Sequence, residues 1–291
     1  MHVSSLGFRT DLALLTSSGS VVEDRGTHLV VRSPDNPSYF WGNFLLLAQP
    51  PVPGGEKEVV GAFHTEFPLA DHVSIGIDSD DLTDEARTAF EAAGLTVDVA
   101  TVLTASSLQQ TREVEAEVRA LEGDDDWEAR ARLSQQLYPQ ASEESFMTFA
   151  RQKNAQERRL VDAGRGTRFG AFVDGRLVST AGIFVTEEGV ARYQSVETHP
   201  DHRRKGLAAA VVHAAGQHGL DRLAVRTLVI VADTDGEAIG IYRRLWRGEA
   251  VMGHEGPAGS YPYLNQDSSF DERIPVLMME QRSGDWATSD A

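Results

Sequence analysis

Several residue types and segments are missing from this chain of 291 residues. It has no cysteine, which excludes a disulfide framework, a thiolate nucleophile and a cysteine-ligated zinc site. No apolar run approaches the roughly 20 residues that a membrane span needs. The first 20 residues lack a basic segment followed by a sustained apolar one, so no signal peptide is predicted. These absences favour a cytoplasmic protein that does not engage a membrane.

Basic residues are also scarce: 27 Lys and Arg stand against 44 Asp and Glu, for a net charge of -17. Such a charge argues against a nucleic-acid partner and favours a cationic one, such as an amine. Residues 1–104 hold 5 basic and 15 acidic residues, and the remainder holds 22 and 29. The basic residues therefore gather in the last two-thirds of the chain. The length suits one large or two ordinary domains, and a homodimer is left open.

One stretch, residues 191–220, combines a strand, a basic turn and a helix. Ala191 to Thr198 alternates polar and β-prone residues, as a half-buried strand does. Pro200 and Asp201 end the strand, and an Ala- and Val-rich helical run begins after Gly206. The backbone N–H groups at a helix start have no partners within the helix and attract anions, above all phosphate. The sequence therefore predicts an anion-binding turn, with positive charge supplied by Arg203, Arg204 and Lys205.

The turn resembles a family motif. Arg203-x-x-Gly206-x-Ala208 is similar to the Q/R-x-x-G-x-G/A signature of the GCN5-related N-acetyltransferases (GNAT superfamily), whose turn binds the pyrophosphate of acetyl-CoA. About thirty residues later, the stretch from Asp235 to Tyr242 resembles the N-x-x-A-I-x-L-Y helix of that family. The resemblance implies an N-acetyltransferase that uses acetyl-CoA as co-substrate and a small-molecule or peptidyl amine as acceptor. No metal is expected, because no metal-ligand spacing links the histidines. The resemblance also implies an acetyl-CoA site formed by Val196, Glu197, Thr198, Arg203, Arg204, Lys205, Gly206, Leu207, Ala208, Ala209, Asp235, Ile239 and Tyr242.

Two of these residues are candidates for catalysis. Glu197 lies on the central strand just before the motif, and a partly buried glutamate there suits a general base. The alternative is a structural ion pair with a nearby arginine, and His199 and His202 are rival bases. Tyr242 matches the tyrosine that protonates the departing thiolate in the family. A tyrosine packed in the core is the other interpretation.

The first third of the chain has the element order of the second half of a GNAT domain. We predict a helix over 9–15, strands over 20–23, 28–32 and 39–47, a helix over 56–67, a strand over 72–77, a helix over 83–93 and a strand over 95–103. The helix at Glu56 follows Pro53-Gly54-Gly55 and has no R-x-x-G-x-G before it. We therefore interpret residues 1–104 as a degenerate GNAT-like domain without cofactor. Trp41 and Asn43 are either a ligand-touching pair or a core Trp beside a turn-capping Asn.

Residues 105–291 are predicted to form the acetyl-CoA-binding GNAT domain. We expect helices over 108–121 and 128–137, separated by an acidic break at 123–126, and a third helix from 142 to about 164. A hairpin over 168–185, a strand over 227–231, a helix from Asp235, a loop over 256–270 and a strand over 274–279 complete the prediction. The fold class expected is α/β (α+β): two GNAT-like domains, each a mixed, largely antiparallel sheet flanked by helices.

The sequence is also compared with two alternative functions. A non-catalytic acyl-CoA-binding sensor would keep the turn and lose the chemistry. A dinucleotide-binding βαβ unit requires G-x-G-x-x-G after a strand, and the sequence has no such glycine triplet. A tandem arrangement of GNAT domains is also found in mycothiol synthase-like enzymes, which acetylate a thiol-precursor amine. No residue of this chain indicates that such an amine is its substrate.

Overall fold

The computed structural model describes residues 1–70, 72–79, 81–139, 141–234 and 236–246 in full, and residues 260–265 as a backbone strand. The helices are α1 (Leu6–Ser17), α2 (Glu56–Glu66), α3 (Asp84–Ala92), α4 (Gly123–Leu137), α5 (Glu143–Asp162), α6 (Leu207–Arg222) and α7 (Glu237–Leu245). The strands are β1 (Val21–Asp24), β2 (His28–Arg32), β3 (Phe44–Leu47), β4 (Ser74–Ile77), β5 (Thr96–Ala105), β6 (Glu117–Ala120), β7 (Gly166–Val173), β8 (Arg176–Glu187), β9 (Val190–Thr198), β10 (Thr227–Asp233) and β11 (Ser260–Asn265). None of the helices in these ranges has the length and apolarity to cross a membrane.

All eleven strands belong to one mixed sheet. Its order is β1-β2-β3-β4-β11-β5-β10-β9-β8-β7-β6. The β3–β4 and β9–β10 pairs are parallel, and the other neighbours run antiparallel. The predicted fold class is confirmed, and the two expected sheets are joined edge to edge. The joint is β5, which pairs with β10 on one side and with β11 on the other. The predicted domain boundary at residue 104 falls inside this strand.

The sheet is covered on both faces where β8, β9 and β10 run through its centre. Alternation along β8 sends Ile183 into the cluster beneath α6, and it sends Phe184 toward Leu14 of α1 and Leu160 of α5. The N-terminal helix α1 therefore packs on the second half of the chain. Its attachment is also polar, because the Arg192 guanidinium of β9 donates to the Gly7 carbonyl at 3.2 Å.

Two predictions between residues 105 and 128 are wrong. The helix expected over 108–121 is irregular chain followed by β6, because Glu117-Val118-Arg119-Ala120 alternates with the period of a strand and pairs with β7. The acidic break at 123–126 is the first turn of α4, which carries Asp124, Asp125 and Asp126. Carboxylates at a helix N-terminus face the positive end of the helix dipole, so this acidic run begins the helix.

The strand expected over 39–47 is also wrong in its first half. Phe40–Gly42 is a short 3-10 turn, and β3 begins only at Phe44. The Asn43 side chain sets this geometry, because its Nδ2 donates to the carbonyls of Asn36 at 3.0 Å and Tyr39 at 2.8 Å. Asn43 therefore caps a turn, as the structural interpretation of the Trp41–Asn43 pair expected.

The C-terminal part differs from expectation at β11. This strand lies within the predicted loop over 256–270, where Gly256, Pro257, Gly259 and Pro262 resemble loop sequence. Pro262 stands opposite Val99 in the ladder with β5. The pairing of β11 with both β4 and β5 outweighs the weak local preference. The strand predicted over 274–279 lies outside the described residues.

Candidate active site

The central strands β9 and β10 separate part-way along their length. Their parallel pairing covers only three positions, from Thr227 opposite Val190 to Val229 opposite Arg192. Both strands then continue without pairing to each other, β9 as far as Thr198 and β10 as far as Asp233. Such a separation opens a gap in the sheet where strand backbone is exposed to a ligand.

A β-bulge in β9 lies at this gap. Thr180 and Gly182 of β8 are two residues apart, whereas their partners Glu197 and Gln194 are three apart. The extra length is taken up near Ser195, whose φ of +47° is in the left-handed region. Bulges bend a strand and redirect its side chains. The regular alternation predicted from Ser195 through Glu197 therefore does not hold.

Arg168 of β7 fixes the bulge. Its guanidinium donates to the Ser195 carbonyl at 3.1 Å and to the Gln194 carbonyl at 3.2 Å. The same group pairs with Glu157 of α5 at 2.7 Å, and both side chains are buried. Burial alone would raise the pKa of Glu157, but the neighbouring guanidinium groups of Arg130 and Arg168 outweigh it and lower that pKa. The ion pair thus joins α5 to the carbonyls at the gap.

Replacing Arg168 should be costly. Arg168→Met leaves the buried carboxylate of Glu157 with one fewer cation and releases two carbonyls, so we expect the free energy of unfolding to fall by about 3–5 kcal/mol. Denaturant titration measures this change. Arg132→Met is the matched control, since Arg132 is 71% exposed and should stay within about 0.5 kcal/mol of the parent. Equal effects in the two variants would contradict a structural role for the buried pair.

The turn between β9 and α6 has the geometry of an anion site. Arg204 and Gly206 both adopt left-handed backbone, with φ of +61° and +84°. Gly206 is the N-cap of α6, and the first turn of that helix has no acidic residue. Arg203, Arg204 and Lys205 are exposed, and within the described chain none of the three forms an ion pair. The positive end of α6 therefore adjoins three exposed cations, of which Arg203 also donates from its Nε to the Thr198 carbonyl at 3.4 Å.

The other predicted binding residues divide into three groups. Thr198 lies at the mouth of the gap, with its hydroxyl 2.7 Å from that of Ser179. Leu207 and Ile239 are buried in the core beneath α6 and α7, while Ala208 and Ala209 are half-buried. Asp235 lies outside the described residues, and the N-cap of α7 is Gly236.

A cavity of about 110 Å³ passes through the sheet at the gap. β9 contributes Gln194, Ser195 and Val196 to its wall, and β10 contributes Ile230 and Val231. On one side of the sheet the cavity reaches Tyr193 and Tyr242. On the other side it is lined by Phe8, Asp11, Leu14, Leu15 and Ser18 of α1, by Tyr39, Trp41 and Phe44, and by Lys153, Gln156, Glu157 and Leu160 of α5. Trp41 therefore does line the cavity, while Asn43 supports the turn beside it.

Tyr242 lies where the sequence predicts an acid. It is 4% exposed, and burial raises the pKa of its hydroxyl well above the usual range, so the group stays protonated at neutral pH. Tyr193 lies on the same side of the cavity, but its hydroxyl donates to the Val212 carbonyl at 2.9 Å. Of these two tyrosines, only Tyr242 has a hydroxyl that makes no hydrogen bond to another residue within the described part of the chain.

Glu197 lies beside this cavity and does not line it. It is 8% exposed, and its carboxylate accepts from the Ser134 hydroxyl at 2.8 and 2.9 Å. The Arg130 guanidinium is 3.8 Å away. These contacts match the ion-pair alternative considered for Glu197. A small second pocket contains Glu197 and shares Lys153 with the main cavity, so the two spaces adjoin.

The two histidines at the strand exit form a separate pair. Their rings are 5.7 Å apart, and the His199 side chain accepts from the Asp201 N–H at 3.3 Å. Neither histidine lines the cavity. In the described part of the chain, no three His, Asp or Glu side chains are grouped as a metal site.

Several residues that line the cavity were not predicted from the sequence. Asp11 and Lys153 come from helices α1 and α5, whose helical character was predicted without any role in the site. No motif marks them, because only the packing of α1 and α5 against β9 and β10 brings them together. Arg192 lies in the strand predicted over 191–198, but its ion pair with Asp11 at 3.1 Å was not predicted either.

Comparison with known proteins identifies one segment of the chain. Residues 127–245 match the model of the Acetyltransferase (GNAT) family. This segment is a GNAT domain. Its bounds enclose the bulged strand β9, the turn at Gly206 and Tyr242. No curated protein matches the chain in sequence.

Solved structures extend the GNAT likeness over nearly the whole chain. A GCN5-related N-acetyltransferase from Kribbella flavida is 18% identical, with a TM-score of 0.56, and the match covers 91% of this chain and 98% of that one. A functionally unknown conserved protein from Staphylococcus epidermidis is 11% identical, with a TM-score of 0.61 over 85% and 92% of the two chains. A tandem GNAT protein from the clavulanic acid biosynthesis pathway is 14% identical, with a TM-score of 0.50 over 87% and 86%. At these identities the likeness shows the fold alone.

The N-terminal half lacks a basic turn like the one before Gly206. The equivalent helix start, at α2, carries Glu56 and Glu58 in its first turn. Glu56 is buried, and its carboxylate accepts from the Gly54 N–H at 3.3 Å. The chain's own carboxylate thus lies where a bound anion would be, and like charges repel.

One acetyl-CoA should therefore bind per chain. We expect calorimetric titration to give a stoichiometry of one, because α2 presents a carboxylate where α6 presents unpaired N–H groups. Glu56→Gln removes that charge and is the control: it should leave the stoichiometry at one, since α2 has no basic turn before it. A value near two for the parent protein would contradict a degenerate N-terminal domain.

Proposed function

We propose that this protein is an acetyl-CoA-dependent N-acetyltransferase that acts on a primary amine. The observation that carries the proposal is the gap between β9 and β10, which connects to the turn at Gly206 on one side and to a lined cavity on the other. The GNAT family is one of acetyltransferases, so acyl transfer is the class of reaction. The donor and the acceptor are our inference.

The residues present fit an acyl-CoA. The left-handed Gly206 has no side chain to hold a phosphate away, and a Cβ there would lie 3.3 Å from Val114. The first-turn N–H groups of α6 and the side chains of Arg203, Arg204 and Lys205 would hold the pyrophosphate. The backbone of Val196, Glu197 and Thr198 would pair with the extended arm of the donor. The thioester would then lie in the gap, within reach of Tyr242.

Transfer is by direct attack. The amine nitrogen forms a bond to the thioester carbonyl carbon, the carbon–sulfur bond breaks, and the sulfur leaves as a thiolate. Tyr242 donates its proton to that sulfur, since its hydroxyl is protonated and lines the cavity. The amine must lose a proton before or during attack. Glu197 is the base proposed from the sequence. Two carboxylates line the cavity itself, and of these Glu157 is paired with Arg168 at 2.7 Å, so Asp11 is the second candidate.

The proposal is tested by release of coenzyme A against a panel of amines. A thiol reagent detects only the product, because the protein has no cysteine. We expect release that depends on the amine. Acetyl-CoA binding without release for any amine would support the non-catalytic sensor, and absence of binding would remove the proposal altogether.

The two candidate bases are separated by their pH profiles. Glu197→Gln should lower turnover at neutral pH, with partial recovery as pH rises and more of the amine is already deprotonated. Asp11→Asn is measured beside it. A full rate in Glu197→Gln together with a pH-dependent loss in Asp11→Asn would transfer the role of base to Asp11.

A further inference from the structure

The buried charges around the cavity do not balance. Among the residues that the structure describes, four cations (Arg130, Arg168, Arg192 and Lys153) face three carboxylates (Asp11, Glu157 and Glu197). Glu157 and Glu197 are held by arginines of the same group, and Asp11 pairs with Arg192. Lys153 has no carboxylate within the 4.0 Å ion-pair distance in the described part of the chain. It is therefore the surplus cation.

Lys153 is buried in an unusual setting for an ammonium group. It is 8% exposed, and its Nζ donates to the Tyr39 hydroxyl at 3.0 Å and lies 4.2 Å from the centre of the Tyr39 ring. A neutral phenol and a ring face satisfy part of its hydrogen-bonding capacity, but they do not neutralise its charge. Buried charges are usually paired, and Lys153 lines the cavity. An anionic group of a ligand would complete the pair.

Asp11 provides the opposite charge in the same cavity. Its pKa is raised by burial, against the lowering effects of Arg192 and Lys153. Its side chain is 24% exposed although the surroundings are packed, because part of it faces the cavity. Within the described ranges its one ion pair is with Arg192, so the carboxylate keeps capacity for a further donor.

Unpartnered polar atoms in the wall also point to a ligand. The Ser195 hydroxyl and the Arg192 Nε are buried and have no hydrogen-bond partner in the described structure. A buried polar group without a partner costs about 1–3 kcal/mol. Both residues line the cavity, and polar groups of a bound molecule would satisfy them.

The cavity has room for a small occupant. One water needs roughly 10–15 Å³ on this measure, so about 110 Å³ suits a molecule the size of a small amino acid.

We propose that the cavity binds an acceptor carrying both an amine and a carboxylate, with Lys153 pairing the carboxylate and Asp11 pairing the amine. The proposal rests on the proposed function, since it assigns the substrate class of the same site. It narrows the class of acceptor from primary amines in general to small amino acids.

Matched pairs of amines test the charge requirement. Glycine, β-alanine, 4-aminobutyrate and lysine are compared with methylamine, ethylamine, propylamine and cadaverine, which lack only the carboxylate. We expect kcat/KM to be roughly 10- to 100-fold higher for the amino acid of at least one pair, as a charged hydrogen bond is worth. The length of the preferred amino acid indicates the distance between Lys153, which pairs with its carboxylate, and Asp11, which pairs with its amine. Calorimetric binding of the same pairs, with coenzyme A present, gives the comparison independently of turnover.

Variants assign the preference to Lys153. Lys153→Met should raise KM for the preferred amino acid roughly 10- to 100-fold and affect its alkylamine partner much less, and Lys153→Arg should restore part of the difference. Lys57→Met, on the exposed first turn of α2, is the matched control and should change neither.

Two results overturn the proposal. One is an alkylamine that binds or reacts as well as its amino acid in every pair, and the other is an equal effect of Lys153→Met on both members of the preferred pair. Either leaves acetyl transfer intact. A protein that releases no coenzyme A but binds an amino acid over its alkylamine would keep this proposal and remove the catalytic one.

Discussion

Gly206→Asp is expected to abolish acetyl-CoA binding while the chain remains folded. The substitution places a carboxylate at the N-cap of α6, where the helix dipole and the unpaired N–H groups would otherwise meet phosphate. We expect the dissociation constant to rise by about 100-fold or more, which corresponds to about 2.7 kcal/mol. Calorimetric titration of acetyl-CoA measures the change, and circular dichroism confirms the fold.

Gly206→Ala separates charge from backbone strain. Any side chain at this position is strained by the φ of +84°, and its Cβ lies 3.3 Å from Val114. Both variants therefore lose about 1–2 kcal/mol of stability, but only the aspartate repels phosphate. We expect alanine to retain most of the binding. Unchanged affinity in a folded Gly206→Asp protein would show that the turn does not hold the donor.

Tyr242→Phe is expected to give the largest loss of turnover. It removes one hydroxyl from a residue that is otherwise packed between α7 and the cavity, so acetyl-CoA affinity should change little. If the hydroxyl protonates the departing thiolate, kcat should fall by about 10²–10⁴-fold. The pKa of Tyr242 is raised far above neutral, so the parent hydroxyl is protonated throughout. The loss should therefore be the same at every pH between 6 and 9.

Tyr193→Phe is the matched control. Tyr193 is buried in the same cavity wall, and its hydroxyl is already committed to the Val212 carbonyl. Its removal should cost about 0.5–1.5 kcal/mol of stability and leave turnover nearly unchanged. Similar rates for Tyr242→Phe and the parent would leave the family assignment in place and remove the role of Tyr242 as acid.

Local pattern predicted most elements of the central region correctly. The hairpin predicted over 168–185, the strand ending at Thr198 and the helix after Gly206 all lie where turn residues and periodicity place them. Local pattern gave the wrong secondary structure where a segment forms a strand only because it pairs with neighbouring strands. Residues 117–120 become a strand by pairing with β7, and residues 260–265 become one by pairing with β4 and β5. Pro262 has no N–H to donate to the ladder, which made that strand difficult to predict.

The sequence alone predicted the basic turn at Gly206 and the resemblance to the GNAT family. Both depend on residues that are close together in the chain: three basic residues, a glycine at a helix start, and a tyrosine at a fixed distance. A turn of this kind folds from local backbone geometry, since left-handed φ at Gly206 and an uncapped helix start need no distant partner.

Only the tertiary structure decided which side chains form the cavity. Asp11, Trp41, Lys153 and Tyr242 are separated by up to 231 residues, and they meet because α1 and α5 pack on the face of the sheet opposite α6. Glu197 does not line that cavity, because β9 has a bulge at Ser195 that Arg168 holds in place. Regular strand alternation, on which the sequence prediction relied, has no such bulge. Packing and buried ion pairs, which act between distant residues, therefore set the composition of the cavity, while local sequence set the basic turn at Gly206.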